Sequence, residues 1–305
     1  MQIYILTRLG QGVLTLLVLS LIVFMSVHLS GDPALLLMPQ DYTEADYQQV
    51  RENLGLNRPI IIQYATFLGN AVRGDFGKSL TTRRPARDML VERIPATLQL
   101  AGAGMLLAIV MGIPLGILSA VKKDSLLDKF VKLFAIVGIG APQFWVAIML
   151  ILVFGGILQW LPTFGRGGPS HFILPSFVLA WSIMAGMMRL GRSSMLEVLD
   201  SEFVKFARAK GLVETLVIWK HALRNAMIPL VTFGGISLAG LLNGTIVIEV
   251  VFAWPGVGLL MLEGVAQRNF PIVEATVLTS GFFYILTSLI VDILYVYIDP
   301  RIKYS

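Results

Sequence analysis

The sequence predicts an all-α polytopic membrane protein with six transmembrane helices, a small helical external lobe and a short helix on the cytoplasmic surface. Three observations lead there. Of the 305 residues, 56% are hydrophobic and only 14% charged, whereas soluble domains carry roughly 25% charge, and the mean hydropathy is +0.77. Six stretches are almost free of Asp, Glu, Lys and Arg, and about 20 apolar residues carry a helix across a ~30 Å hydrocarbon layer. Lys and Arg gather in alternate loops, which fixes orientation.

The apolar stretches are 9–31, 94–121, 133–165, 167–188, 225–248 and, with Asp292 as its single acid, 275–298. The third exceeds one crossing, but Leu161-Pro162-Thr163-Phe164-Gly165 reads as a loop, leaving a helix near 133–158. Gly112, Pro114 and Gly116 are tolerable inside a span because neighbouring helices satisfy the freed backbone groups. Met105 and the Met187-Met188 pair read as lipid or core filler. The first stretch follows Arg8 as a signal peptide would, yet its apolar run is too long and Ser30-Gly31-Asp32-Pro33 is no small-x-small cleavage site, so it reads as a retained anchor.

Lys122, Lys123, Lys129 and Lys132 follow the second span, and Arg189, Arg192, Lys205, Arg208, Lys210, Lys220 and Arg224 follow the fourth. These loops are expected inside, and the loops after spans three and five, with only Arg166 and Arg268, outside. Both termini then face the cytoplasm, where Arg8, Arg301 and Lys303 agree with them. The net charge of +5 is thereby absorbed as a topology signal, and no nucleic-acid partner is expected. The chain divides into a first span over 1–31, an external, periplasmic lobe over 32–93 and a five-helix core over 94–305 that includes a cytoplasmic segment at 189–229.

Several chemistries fall away. With no Cys there is no disulfide, thiolate metal site or cysteine nucleophile. His28, His171 and His221 lie far apart, so no protein-built metal centre is expected. Gly77-Lys78-Ser79 ends like a phosphate-binding loop but has Val72 where the motif needs Gly, and Gly138-Ile139-Gly140 fails as a dinucleotide fingerprint at Gln143. Serine-hydrolase and zinc-protease signatures are absent as well.

In the external lobe, Thr43-Glu44-Ala45-Asp46 resembles a capping box opening a helix that stops at Gly55. The lobe reads equally as a lid over the helices or as a docking surface for an extracytoplasmic partner. In the cytoplasmic segment, Asp200 and Ser201 are N-cap candidates; Phe203, Phe206 and Ala207 are expected on one helical face, and Lys205, Arg208 and Lys210 near the negative end of the helix dipole. Gly211 supplies the stop. A second helix over 214–227 then enters the membrane, with Ile218, Ala222 and Asn225-Ala226 along one side. Two helices hinged at a glycine suit the carrying of force; an ordinary basic loop is the other reading.

The run Ala207-Arg208-Ala209-Lys210-Gly211-Leu212, followed by His221-Ala222-Leu223-Arg224-Asn225-Ala226-Met227-Ile228-Pro229, resembles the coupling segment of permease subunits of bacterial ABC importers in the dipeptide, oligopeptide and nickel family. Gly31-Asp32-Pro33, Leu54-Gly55-Leu56, Gly74-Asp75-Phe76-Gly77, Phe252-Ala253-Trp254-Pro255-Gly256-Val257-Gly258 and Asp299-Pro300-Arg301 extend the similarity over almost the whole chain. The wider importer pattern is Glu-Ala-Ala, three residues, Gly, nine residues, Ile-x-Leu-Pro. Against it only Ala207, Gly211 and Leu223 agree, with Lys205 at the Glu position and Arg224 at the final Pro, so the resemblance carries the segment and not its individual salt bridges.

The resemblance implies a type I importer permease fold and a division of labour. This chain would form half of the pore in the bacterial cytoplasmic membrane beside a second permease. Two cytoplasmic ATPase subunits would hold ATP and Mg2+, this chain binding no cofactor, and an extracytoplasmic binding protein would deliver ligand. Phe203, Ala207, Arg208, Ala209, Lys210, Gly211, Leu212 and Glu214 would couple to an ATPase subunit. Di- or oligopeptides are the expected cargo, with nickel chelates or glutathione as the alternative. A passive channel or scaffold leaves the hinge without a purpose, and an intramembrane enzyme lacks convergent catalytic groups.

Polar groups inside a membrane are costly and become site candidates by default. Asn243, within Gly240-Leu241-Leu242-Asn243-Gly244, reads either as a helix–helix hydrogen bond or as a lining of the translocation path. Asp292 reads either as the partner of a basic group near the cytoplasmic surface or as a pathway residue. Between spans five and six lies an apolar piece too short to cross; Trp254, Pro255 and Gly256 make it a candidate re-entrant or interfacial external gate.

Overall fold

The computed structural model describes residues 2–29, 31, 34–35, 38, 41–53 and 55–298, of which side chains 2–4, 242–243 and 294–298 are excepted. Those residues form helices throughout, with one isolated bridge between Lys78 and Pro85. Among the described residues five helices are long and apolar enough to cross a membrane, and a bent pair makes a sixth only when its two helices count as one span.

The chain divides into two compact units. The first comprises Met1–Ala96 and Pro255–Ile285, the second Thr97–Trp254 and Leu286–Ser305.

In the first unit, α1 (Gln2–Leu29) is an apolar helix long enough to cross a membrane. The capping box forms: the Thr43 hydroxyl accepts from the Asp46 amide (3.3 Å) and the Asp46 carboxylate accepts from the Thr43 amide (3.0 Å). It opens α2 (Glu44–Asn53), whose end is closed by Gly55 at φ 69°. The Thr43 hydroxyl and amide also hold the Asp46 carboxyl below its ordinary range. Next, α3 (Ile60–Val72) begins after Pro59, which has no amide to leave unsatisfied. The following loop is pinned by Asn269: its side-chain oxygen accepts from Leu80 N (3.1 Å) and its amide donates to Ser79 (2.7 Å) and Thr81 (3.1 Å). Buried Ala86 and Leu90 at the start of α4 (Ala86–Val121) pack with Val257 and Leu260 of α11 (Val257–Ala266) and Ile272 and Ala275 of α12 (Phe270–Ile298).

The second unit corrects the expected third span. It is no single helix over 133–158: α5 (Leu126–Gly140) and the helix that follows, α6 (Gln143–Leu150) with a π-helical continuation over Ile151–Ile157, meet at 112°. The break falls at Ala141, whose ψ of 127° is the extended backbone that a following Pro imposes. The fourth span also runs past its expected end, because α7 (Ser170–Leu199) takes Arg189 and Arg192 into the helix. Close approach of α4 and α5 to α7 rests on glycines. A Cβ on Gly116 would stand 2.7 Å from the Met188 carbonyl, and one on Gly138 2.5 Å from the Ala185 side chain. Such contacts let helices pack where lipid offers no hydrophobic drive.

Beyond α7 come α8 (Glu202–Ala209), α9 (Glu214–Leu216), a π-helical turn over Val217–Ala222 and α10 (Leu223–Val251). From Glu214 to Val251 the helical path is unbroken. Pro229 sits inside α10 without ending it.

Candidate functional site

The α7–α10 connection is built from its caps. Asp200 closes α7, and Ser201 takes the extended backbone of an N-cap (ψ 151°), although its hydroxyl turns back to the Val198 carbonyl and caps nothing. At the other end of α8, Gly211 is at φ 77°. Its amide donates to Arg208 O (2.9 Å) and the Leu212 amide to Ala207 O (3.4 Å), the paired bonds of a Schellman stop. Across this turn the Arg208 guanidinium grips Glu214 with both arms, Nη2 to Oε1 at 2.7 Å and Nε to Oε2 at 3.2 Å. Such a fork-to-carboxylate pair fixes direction as well as distance, and Glu214 holds Arg208 above its ordinary range.

The face of α8 differs from the sequence expectation. Val204 and Ala207 are buried, packing with Ile117 and Ala120 of α4, Met195 of α7, and Val217, Ile218, Ala222 and Ala226 beyond the hinge. Phe203 and Phe206 do not share that face; they are 45% and 61% exposed. The inward direction passes between Val204 and Ala207, and Phe206 falls on the far side of so short a helix. Lys210 lies over the Phe206 ring at 4.5 Å. Lys205 pairs with Glu202 at 3.0 Å, and Ala209 and Lys210 are exposed. Beyond the hinge Asn225 also departs from the expected side: it is exposed and donates to His221 O.

Thus Phe203, Ala207, Arg208, Ala209, Lys210, Gly211, Leu212 and Glu214 form one continuous turn-and-helix feature. The other candidates lie elsewhere. Asn243 belongs to α10, with its side chain outside the described set, and Asp292 is half-buried on α12. Trp254 is fully buried, edge-on to Phe172 (centroids 4.6 Å apart), and its amide closes α10 on Glu249 O at 2.8 Å. Pro255 and Gly256 precede α11, for which Gly256 is the N-cap residue.

Two buried acids escaped the sequence reading. Asp128, with no exposed side-chain surface, accepts from Arg192 (2.6 and 3.2 Å), Ser119 (2.6 Å), Lys132 (2.9 Å) and the Asp124 amide (3.0 Å), so it ties α4, α5 and α7 together. Its signal was a Ser125-x-x-Asp128 cap with Lys132 four residues on, inside a loop read only for its lysines. Glu249, also buried, accepts from the Thr97 hydroxyl at 2.6 Å; it lies one residue past the apolar stretch 225–248. Among the described residues no cluster of three or more His, Asp or Glu is placed to hold a metal ion.

The fold is that of a multi-span helical membrane protein that carries a hinged segment between α7 and α10. Residues 112–304 match the family described as binding-protein-dependent transport system inner membrane component, and residues 1–101 its N-terminal counterpart. The chain belongs to this family: it is a permease subunit of an ABC importer and a multi-pass inner-membrane protein. It is 41% identical over 303 residues to the glutathione transport system permease protein GsiC of Escherichia coli strain K12, and equally to that of Shigella dysenteriae serotype 1, with 99% of each chain covered. The fold resembles that in inward-facing structures of the MetNI methionine ABC transporter, at a TM-score of 0.55 and 17% identity over 69% of this chain and 96% of that one.

Proposed function

We propose that the chain is the pore-forming half of an ATP-driven importer for small peptides. It works beside a second permease, on two cytoplasmic ATPase subunits, and receives cargo from an extracytoplasmic binding protein. The segment 189–229 faces the cytoplasm, the lobe at 32–93 faces outward, and both termini are inside. The α8 hinge is the observation that carries the reading. Its buried face, Val204 and Ala207, is keyed into α4, α7 and the start of α10, while Phe203 and Phe206 stay exposed beside Lys210. Large exposed apolar groups with a polar rim suit a partner surface. A push on α8 then moves the helices it is keyed to, and coupling requires only that the ATPases contact two arrangements differently.

Glutathione, itself a tripeptide, is the second reading, favoured by the 41% identity to GsiC. Asn243 and Asp292 are assigned to the path and Trp254, Pro255 and Gly256 to the outer gate. The test is to identify the ligands retained by the cognate binding protein and then measure their uptake into liposomes bearing the complete complex. Uptake of a peptide or glutathione that requires both ATP and binding protein is expected; ATP-independent flux, or transport of a nickel chelate alone, contradicts the proposal.

A further inference from the structure

The second turn of α12 carries an acid, Glu274, to which no partner is assigned among the described residues. Glu274 lies on the wall of a cavity of about 390 Å³ formed within the first unit by α1, α3, the connection between α2 and α3, and the start of α12. Among the described residues no hydrogen bond or ion pair reaches its carboxylate. Two polar groups on the same wall are already committed. His28 and Gln63 hold each other at 3.0 Å, His28 also meets Phe24 O at 2.9 Å, and Gln63 donates to Leu56 O and Arg58 O at 3.1 and 2.8 Å. These bonds tie the α2–α3 connection to α1. The remaining charges, Glu52 and Arg58, are exposed at its rim, and Phe24 and Phe67 stack at 5.6 Å on its apolar side.

An isolated carboxylate drawn away from water is expensive unless a cation meets it, and an ionisable group in a membrane helix marks a functional site by default. The space is that of a small-ligand pocket, its wall shared between apolar side chains such as Phe24, Phe67 and Phe270 and polar ones. We propose that this cavity is a binding subsite for a small zwitterionic peptide, its terminal ammonium on Glu274 and its carboxylate end toward Arg58. The assignment rests on the peptide-importer reading above. The apolar wall accommodates side chains of any sequence, whereas Glu274 and Arg58 read the two features every free peptide shares.

Labelling is timed on the purified complex of this chain with its second permease and ATPases, first without and then with the binding protein, and ATP-driven peptide uptake is measured on the same complex in liposomes with the binding protein present. This chain has no Cys, so Asn70→Cys on the cavity wall, with Cys-free partners, gives one reporter whose maleimide labelling is timed with dialanine or N-acetyl-dialanine present. Dialanine slows labelling and the acetylated peptide does not. Because a charge-assisted bond is lost, Glu274→Gln weakens protection by about tenfold or more, while Glu274→Asp keeps part of it. Equal protection by both peptides, undiminished protection in Glu274→Gln, or protection by the binding protein but by no peptide would overturn the subsite. A wild-type complex that imports peptides yet shows no protection refutes the subsite alone. One that imports no peptide refutes the functional reading beneath it.

Discussion

At the scale of single residues, Asp128 and Gly211 show two ways in which a position matters. Asp128 gathers Arg192, Lys132, Ser119 and a main-chain amide on one buried carboxylate. Replacing it with Ala strands Arg192, and loss of one partner from a buried pair costs about 3–5 kcal/mol. Asp128→Ala is therefore expected to lower the thermal midpoint of the detergent-solubilised protein by several degrees, and Lys132→Ala, whose side chain is 44% exposed, by far less. Equal effects would remove Asp128 from the centre of the network. At Gly211 a new Cβ meets nothing within 4 Å, but φ is +77°, so Gly211→Val carries only the left-handed backbone penalty of roughly 1–2 kcal/mol. Insertion and binding-protein recognition should survive this change while ATPase recovery or the ratio of uptake to hydrolysis falls. Gly211 was legible because a glycine stop after a basic-ended helix is a local pattern. Asp128 was not, because its burial depends on Arg192, a residue 64 positions away.

At the scale of elements, length and hydropathy reveal that a span exists but not how it is carried. The α4, α7, α10 and α12 crossings follow their apolar stretches, and the Thr43 box and Gly55 bound α2 as read. The α5–α6 pair was readable only as an overlong run; Pro142 marks the break, but no local pattern gives the 112° bend. Likewise the face of α8 was misread because an eight-residue helix with apolar side chains at 203, 204, 206 and 207 offers more than one inward direction. Tertiary contact with Met195, Val217 and Ala222 chose Val204 and Ala207. Val204→Asp is then expected to disrupt the segment and lower the yield of folded protein, whereas Phe206→Asp leaves folding intact, as measured by monodisperse recovery in detergent. The reverse ranking would invert the assigned face.

At the scale of the whole molecule, the alternation of basic and apolar segments is the basis of the proposed orientation, and the lack of cysteine makes that orientation directly measurable. Thr43→Cys is expected to react with an impermeant maleimide in spheroplasts, and Glu214→Cys only after lysis; the opposite pattern would reverse the topology. The central claim is that ATP-driven motion enters through the exposed side of α8. The most direct measurement is made on the complete complex in liposomes carrying Phe203→Ala and Phe206→Ala together, with ATPase recovery, hydrolysis and uptake followed side by side. Both rings are exposed, so the chain itself should insert and fold as before, and the claim predicts that ATPase subunits are lost or that hydrolysis continues while uptake falls by about tenfold or more, as truncating buried interface aromatics does. Unchanged recovery with unchanged uptake per ATP hydrolysed would contradict it.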